Sequence, residues 1–370
     1  MMKKPDSSLA LAFLLLLFLP HADATLGVCI GKAAASLAAP AAIAQILVAN
    51  GIQMVRFLEA NPELLAALKN TGIKVMVGVA NSDVVPIAVG GAEAAITWLN
   101  DNVLKHVASH QLSYIAVGDE VLDVSVKAIP YVVPAMNNLH RALQQLGLDS
   151  AVKISSPVPA SVLAISMPPS AGDFSPISRP LMEQMLRFLS ATQSTMMVNI
   201  YPIEQLMKTA VGAAMNFFLM QGNAAPVKDG RHSYTNIMDA TVDAMVTAMR
   251  KAGYPAVPVT VTSTGWPAAG KNNAATPDNA EAFLEGIIKR ALNGTGTPMR
   301  PDMEMEVFVS SLFNGAGNGG EGQDMGIFNT NGSVAVNFSL HLHGELDAAS
   351  AGKTAGKLSP SPGPSPAALN

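Results

Sequence analysis

Along the chain, continuous apolar runs rich in Val, Ile and Met alternate with segments whose apolar residues recur at helical spacing. The runs predict strands near residues 26–31, 53–59, 74–80, 112–120, 152–156, 196–201, 257–263 and 304–313. Most are apolar throughout rather than alternating, the pattern of parallel strands covered on both faces. Between them, Pro62-Glu63-Leu64-Leu65 places proline in a first helical turn. Residues 92–106, 133–146 and 236–252 space apolar positions as helices do, the last stopping at Gly253, and Pro277-Asp278-Asn279-Ala280 opens a helix reaching Leu292. Eight β/α alternations in one domain predict a (β/α)8 TIM barrel. The competing open doubly wound sheet needs a Gly-rich phosphate turn after the first strand. Gly31-Lys32-Ala33 is not such a turn, and the Gly-rich stretch 315–320 follows the last strand and lacks a Lys-Ser/Thr pair.

The pattern breaks at both ends. Lys3 and Lys4 precede the apolar run 9–19, and Ala22-Asp23-Ala24 follows it, so residues 1–24 read as a secretory signal peptide cleaved after Ala24. The run falls short of the roughly 20 apolar residues a membrane span needs. Residues 341–370 form a low-complexity tail rich in Pro and Ser, and 367–370 lack the apolar end of a glycolipid-anchor signal. The barrel is assigned to 25–340 of a secreted protein, extracellular or in a cell wall, with no membrane span.

Composition narrows the chemistry. Hydrophobic residues make up 49% of the chain and charged residues 14%, which calls for a large packed core. The net charge of -4 supplies no basic footprint for nucleic acid. One cysteine, Cys29, excludes an intramolecular disulfide; inside an apolar run it reads as a buried thiol. The twenty methionines read as core filler. No cofactor motif and no metal-ligand cluster is apparent, and a monomer is expected. Sequons at Asn293, Asn331 and Asn337 are candidate glycosylation sites.

In a barrel of this kind, chemistry sits at the C-terminal strand ends. The polar residues there are Glu59, Asp83, Asp119, Glu120, Tyr201, Glu204 and Trp266. Two ends stand out: Val117-Gly118-Asp119-Glu120 and Val261-Thr262-Ser263-Thr264-Gly265-Trp266-Pro267. Glycosidic cleavage with retention uses two carboxyls about 5–5.5 Å apart, one as acid/base and one as nucleophile. Glu120 fits the first role; the seventh strand ends in a serine where the second belongs. Glu59 or Glu204 would serve only an inverting reaction, which needs a wider gap. Tyr201 and Trp266 either face the groove or pack beneath it.

Several motifs carry a resemblance. They include Leu26-Gly27-Val28-Cys29, Val77-Gly78-Val79-Ala80-Asn81-Ser82-Asp83, Tyr114-Ile115-Ala116-Val117-Gly118-Asp119-Glu120-Val121, Val198-Asn199-Ile200-Tyr201-Pro202 and Gly265-Trp266-Pro267. With Pro168-Pro169-Ser170-Ala171-Gly172-Asp173-Phe174 and Ala275-Thr276-Pro277-Asp278-Asn279-Ala280, they run in order from Leu26 to about Leu340. The chain resembles the plant β-1,3-glucanases of glycoside hydrolase family seventeen. The resemblance implies a (β/α)8 barrel with an open groove for β-glucan, Glu120 as acid/base, and Asp119, Tyr201 and Trp266 along the substrate.

It also marks departures. The family carries a nucleophilic Glu where this chain has Ser263, Asn where it has Asp119, and Phe-Asn/Asp-Glu-Asn where it has Phe313-Asn314-Gly315. Family aromatics are replaced by Ile30, Leu58 and Ile203. No histidine lies near Ser263 in sequence, and no Gly-x-Ser-x-Gly elbow surrounds it. The expectation is a diverged member that keeps groove and glucan binding and has lost most or all hydrolysis. An active O-glycosyl hydrolase or transglycosidase using another carboxylate, and a secreted scaffold without a carbohydrate ligand, are the alternatives.

Overall fold

A computed structural model describes residues 26–31, 38–206, 215–314, 324–329, 333 and 335. The expected signal peptide, the C-terminal tail, Gly315, Asn331 and Asn337 lie outside the described residues.

Nine parallel segments form one sheet: β1 (Leu26–Ile30), β2 (Met54–Phe57), β3 (Lys74–Val79), β4 (Leu112–Val117), β5 (Lys153–Ser155), β6 (Val158–Pro159), β7 (Met196–Asn199), β8 (Val259–Thr264) and β9 (Val307–Val309). Their order is β5-β4-β3-β2-β1-β9-β8-β7-β6. The sheet begins and ends on two pieces of the same stretch of chain, β5 and β6, parted by Ser156 and Pro157. It therefore closes on itself as a (β/α)8 barrel whose fifth strand is broken once. Pro157 has no N–H for the ladder, and its carbonyl accepts from Glu120 N at 3.0 Å. The break in the fifth strand thus anchors the end of the fourth.

Helices clothe the barrel: α1 (Pro40–Ala49), α2 (Pro62–Leu68), α3 (Asn81–Leu99), α4 (Val132–Gln145), α5 (Arg179–Thr192), α6 (Ile237–Lys251) and α7 (Pro277–Leu292). The caps follow the sequence signals. Asn61, Asn236 and Thr276 accept from the amides of Leu64, Asp239 and Asn279. The third helix starts at Asn81, well before the expected residue 92, and absorbs Pro86 with a kink at Gly91 (φ 72). Two small hairpins, Leu163–Ile165 with Asp173–Phe174 and Val227–Asp229 with His232–Tyr234, flank α6.

Strand alternation divides the core in two. Outward residues such as Val28, Val55, Val77, Ile115 and Val261 join the main cluster between sheet and helices. Inward residues Cys29, Met54, Leu58, Met76, Ala116, Met197 and Phe308 form a second cluster inside the barrel. A Cβ on Gly27 would lie 2.4 Å from the Phe308 ring, so glycine there makes room for that ring. Above this apolar plug, toward the C-terminal strand ends, the interior turns polar.

Candidate active site

The fourth strand ends at Val117, short of the expected residue 120. Gly118 takes φ +67, where an added Cβ would meet Val121 at 2.4 Å and Asn81 Oδ1 at 2.8 Å. Asn81, at the start of α3, clamps the next residue: its Nδ2 donates to Asp119 O at 2.9 Å, and its Oδ1 accepts from Asp119 N at 2.8 Å. Glu120 follows in the left-handed region at φ 48. Two turns of backbone that extended chain cannot make aim both carboxyls at the barrel axis.

One amide joins them. Asn199, the last residue of β7, donates through Nδ2 to Glu120 Oε1 at 2.8 Å and to Asp119 Oδ1 at 3.0 Å. Its Oδ1 accepts from Arg56 Nη1 at 3.1 Å and Thr262 Oγ1 at 2.8 Å, which fixes the orientation of the amide. Arg56, on β2 and 0% exposed, also donates to Thr262 O at 2.8 Å and pairs with Asp119 Oδ1 at 2.7 Å. Burial opposes the guanidinium charge, but Asp119 and its neighbours outweigh that and raise its pKa above the ordinary value.

Glu120 is pushed up to about 7. Removal from water is the leading cause; the Asn199 hydrogen bond opposes it, and the charges of Asp119 and Glu204 add to it. Like-charge repulsion between Asp119 and Glu120 is thus present but secondary to burial. At neutral pH Glu120 is divided between acid and carboxylate, the condition for general acid/base work.

The end of β8 is different in kind. Ser263 pairs with Asn199 in register and is 1% exposed. Its Oγ lies 2.7 Å from the Tyr201 hydroxyl and accepts from the Cys29 thiol at 3.9 Å. Burial raises the pKa of both neighbours, Cys29 to about 11 and Tyr201 further still. Both stay protonated at neutral pH, and neither is a base for the serine.

Asp119, Glu120, Tyr201 and Ser263 thus converge. Trp266 does not present an aromatic face to the groove: it is 3% exposed, stacks toward Phe283 at 6.0 Å, and donates from Nε1 to Ala274 O at 2.8 Å. Of its two sequence-based readings, this is packing beneath the rim, because the indole spends its polar handle and its ring inside the helix layer. Ile30, Leu58 and Ile203 are likewise buried. Asn293 is exposed at the end of α7. Among the described residues there is no group of three or more His, Cys, Asp or Glu able to hold a metal ion, and no helix long and apolar enough to cross a membrane.

The sequence reading missed Arg56 and assigned no role to Asn199 or Thr262. The signal was present in Met54-Val55-Arg56-Phe57: a lone arginine in a strand buried on both faces must have a carboxylate partner.

Fold and site together define the class: a (β/α)8 barrel of the glycoside hydrolase type, with a desolvated carboxyl just past the end of its fourth strand. Residues 26–339 match the family Glycosyl hydrolases family 17, and the chain belongs to that family. It is 34% identical over 348 residues to glucan endo-1,3-beta-glucosidase 12 of Arabidopsis thaliana, covering 92% of this chain and 64% of that protein. It is 32% identical over 343 residues to glucan endo-1,3-beta-D-glucosidase of Olea europaea, covering 90% and 74%. Among solved structures it resembles CJP38, a beta-1,3-glucanase and allergen of Cryptomeria japonica pollen, with a TM-score of 0.80 and 32% identity over 86% of this chain and 99% of that one. The chain spans 64 to 67% of the length of the first Arabidopsis relatives it matches.

Proposed function

We propose that this protein is a diverged β-1,3-glucanase relative that binds β-glucan in the groove above Glu120 and has lost most or all hydrolysis. The observation that carries the reading is the neutral end of β8, where Ser263 Oγ hydrogen-bonds Tyr201 at 2.7 Å in the place the family resemblance assigns to a carboxylate nucleophile. A retaining reaction needs that second carboxylate to trap the sugar. A serine flanked by a protonated phenol and a protonated thiol has no route to an alkoxide. Removing the nucleophile of a hydrolase costs on the order of 10⁴–10⁶ in turnover, or roughly 6–8 kcal/mol of barrier. Glu120 keeps the setting of an acid/base group without a partner for the other half of the reaction.

The same reading makes the protein a secreted, monomeric, wall-associated binder of β-glucan, consistent with the signal-like residues 1–24 and with the names of its relatives. A competing reading has Glu204, whose charge acts on Glu120, serve as base in an inverting reaction, with the product released in the α-configuration. Titration of a soluble β-1,3-glucan into the intact protein tests the proposal. Saturable binding with no new reducing ends is the expected result. No binding at all overturns it in favour of a scaffold without a carbohydrate ligand.

A further inference from the structure

A second cavity of about 430 Å³ lies at the far end of the barrel from Glu120. Ser170, Asp229, Arg231, His232, Arg250 and Arg300 contribute its polar lining. Arg250 is in the last turn of α6, and helices of a (β/α)8 barrel run antiparallel to the strands. The cavity therefore sits near the N-terminal strand ends, away from the groove. In a chain of net charge -4, three arginines converge here with one carboxylate.

The charges at this cavity are not balanced from within. Asp229 has both oxygens engaged, Oδ2 by Ser170 N and Oδ1 by Ser170 Oγ, each at 2.6 Å. The next carboxylate, Asp243, accepts from Tyr234 Oη at 3.0 Å, from Met299 N at 2.9 Å and from Thr297 Oγ1. Arg300 is half-buried, and its guanidinium reaches only the carbonyls of Val257 (2.8 Å) and Pro255 and the sulfur of Met303 (3.7 Å). Burial lowers its pKa, and the charge of Asp243, which Arg300 does not touch, opposes that in part. Arg231 donates Nε to His232 Nε2 at 3.3 Å, which leaves its terminal nitrogens free. Among the described residues the Arg250 side chain has no hydrogen-bond or ion-pair partner, and none of the three arginines pairs with a carboxylate.

We infer that this cavity is a binding site for an oxyanion-bearing ligand of monosaccharide size, its carboxylate or phosphate held by Arg231, Arg250 and Arg300. Three observations carry it. Planar guanidinium forks match a two-oxygen anion, a volume of this order holds a small ligand, and the guanidinium of Arg300 is pinned at the cavity by carbonyls with no carboxylate in contact. The site is independent of the reading of the groove.

The test is calorimetric titration of the intact protein with sodium glucuronate, with inorganic phosphate and with glucose. Glucuronate or phosphate binds and neutral glucose does not. Binding of glucuronate alone assigns the site to acidic saccharides; binding of phosphate alone assigns it to the free oxyanion. The exposed pair Arg231→Gln and Arg250→Gln, made together, weakens anion binding by at least about tenfold, the effect of removing charge partners from a bound anion, and leaves β-1,3-glucan binding and the ligand-free melting temperature unchanged. Arg250→Glu abolishes anion binding. Wild-type protein that binds neither anion, or variants that bind as wild type does, would overturn the inference.

Discussion

The ends of β4 and β8 meet across Asn199 and are built on opposite principles. At β4, two carboxyls are held by the Asn199 amide and the Arg56 guanidinium, and the Asn81 side chain and the Pro157 carbonyl fix the backbone beneath them. At β8, Thr262, Ser263 and Thr264 present only hydroxyls; Ser263 meets other protonated groups, and Thr264 Oγ1 is buried without a partner. The first end is an electrostatic device, with charge, counter-charge and a carboxyl tuned to about 7. The second is neutral. A reaction that passes charge between two carboxylates would find one supported at β4 and a hydroxyl at β8, the contrast on which the proposed loss of hydrolysis rests.

The most direct way to break this contrast is to give β8 a charge. Ser263→Glu adds a carboxylate beside Tyr201, and turnover of soluble β-1,3-glucan is expected to rise by at least about 10³, measured as new reducing ends. A folded variant with no gain would move the defect to other positions where the chain departs from the family pattern, such as Gly315. Removing the counter-charge at β4 acts on stability instead. Arg56→Ala leaves Asp119 facing the barrel interior unpaired and should cost about 3 kcal/mol, read from urea unfolding midpoints; a loss well under 1 kcal/mol would show the pair to be dispensable.

Glu120 gives a smaller, pH-dependent effect. Its folded pKa lies above the ordinary 4.5, at about 7, so the folded chain holds this proton more tightly than the unfolded chain. The stability this supplies is complete below about pH 4.5 and is lost as pH rises through 7. Glu120→Gln is therefore expected to be more stable than wild type at pH 8, on the order of 2–3 kcal/mol, with the difference gone by pH 4. Equal stability at pH 8 would mean the carboxyl is not desolvated. Least of all, Tyr201→Phe removes one hydrogen bond from Ser263 and should cost about 1 kcal/mol in thermal or chemical unfolding.

How far the amino-acid sequence exposes this arrangement differs between its parts. The barrel was legible because its strands are apolar on both faces and its helices begin at Pro and cap signals; all eight strand positions are occupied. The break in the fifth strand was not, since Ser156-Pro157 within a short polar-apolar stretch reads equally as a strand end. Asp119, Glu120, Tyr201 and Ser263 lie at or just past strand ends, because a barrel gathers those ends whatever the loops do. Trp266 illustrates the limit: sequence places it just beyond β8 but not on which side of the chain, and the indole turns into the helix layer toward Phe283. Arg56 and Asn199 were overlooked for another reason. Their importance lies in partners 63 and 79–80 residues away, and a period along one strand says nothing about what stands across the barrel.

The measurement closest to the central claim is release of reducing ends from a soluble β-1,3-glucan by wild-type protein beside Glu120→Gln. A barrel with one supported carboxyl and a neutral hydroxyl opposite should give the same background rate in both. Turnover by the wild type that Glu120→Gln abolishes would contradict the account, showing that another group completes the site.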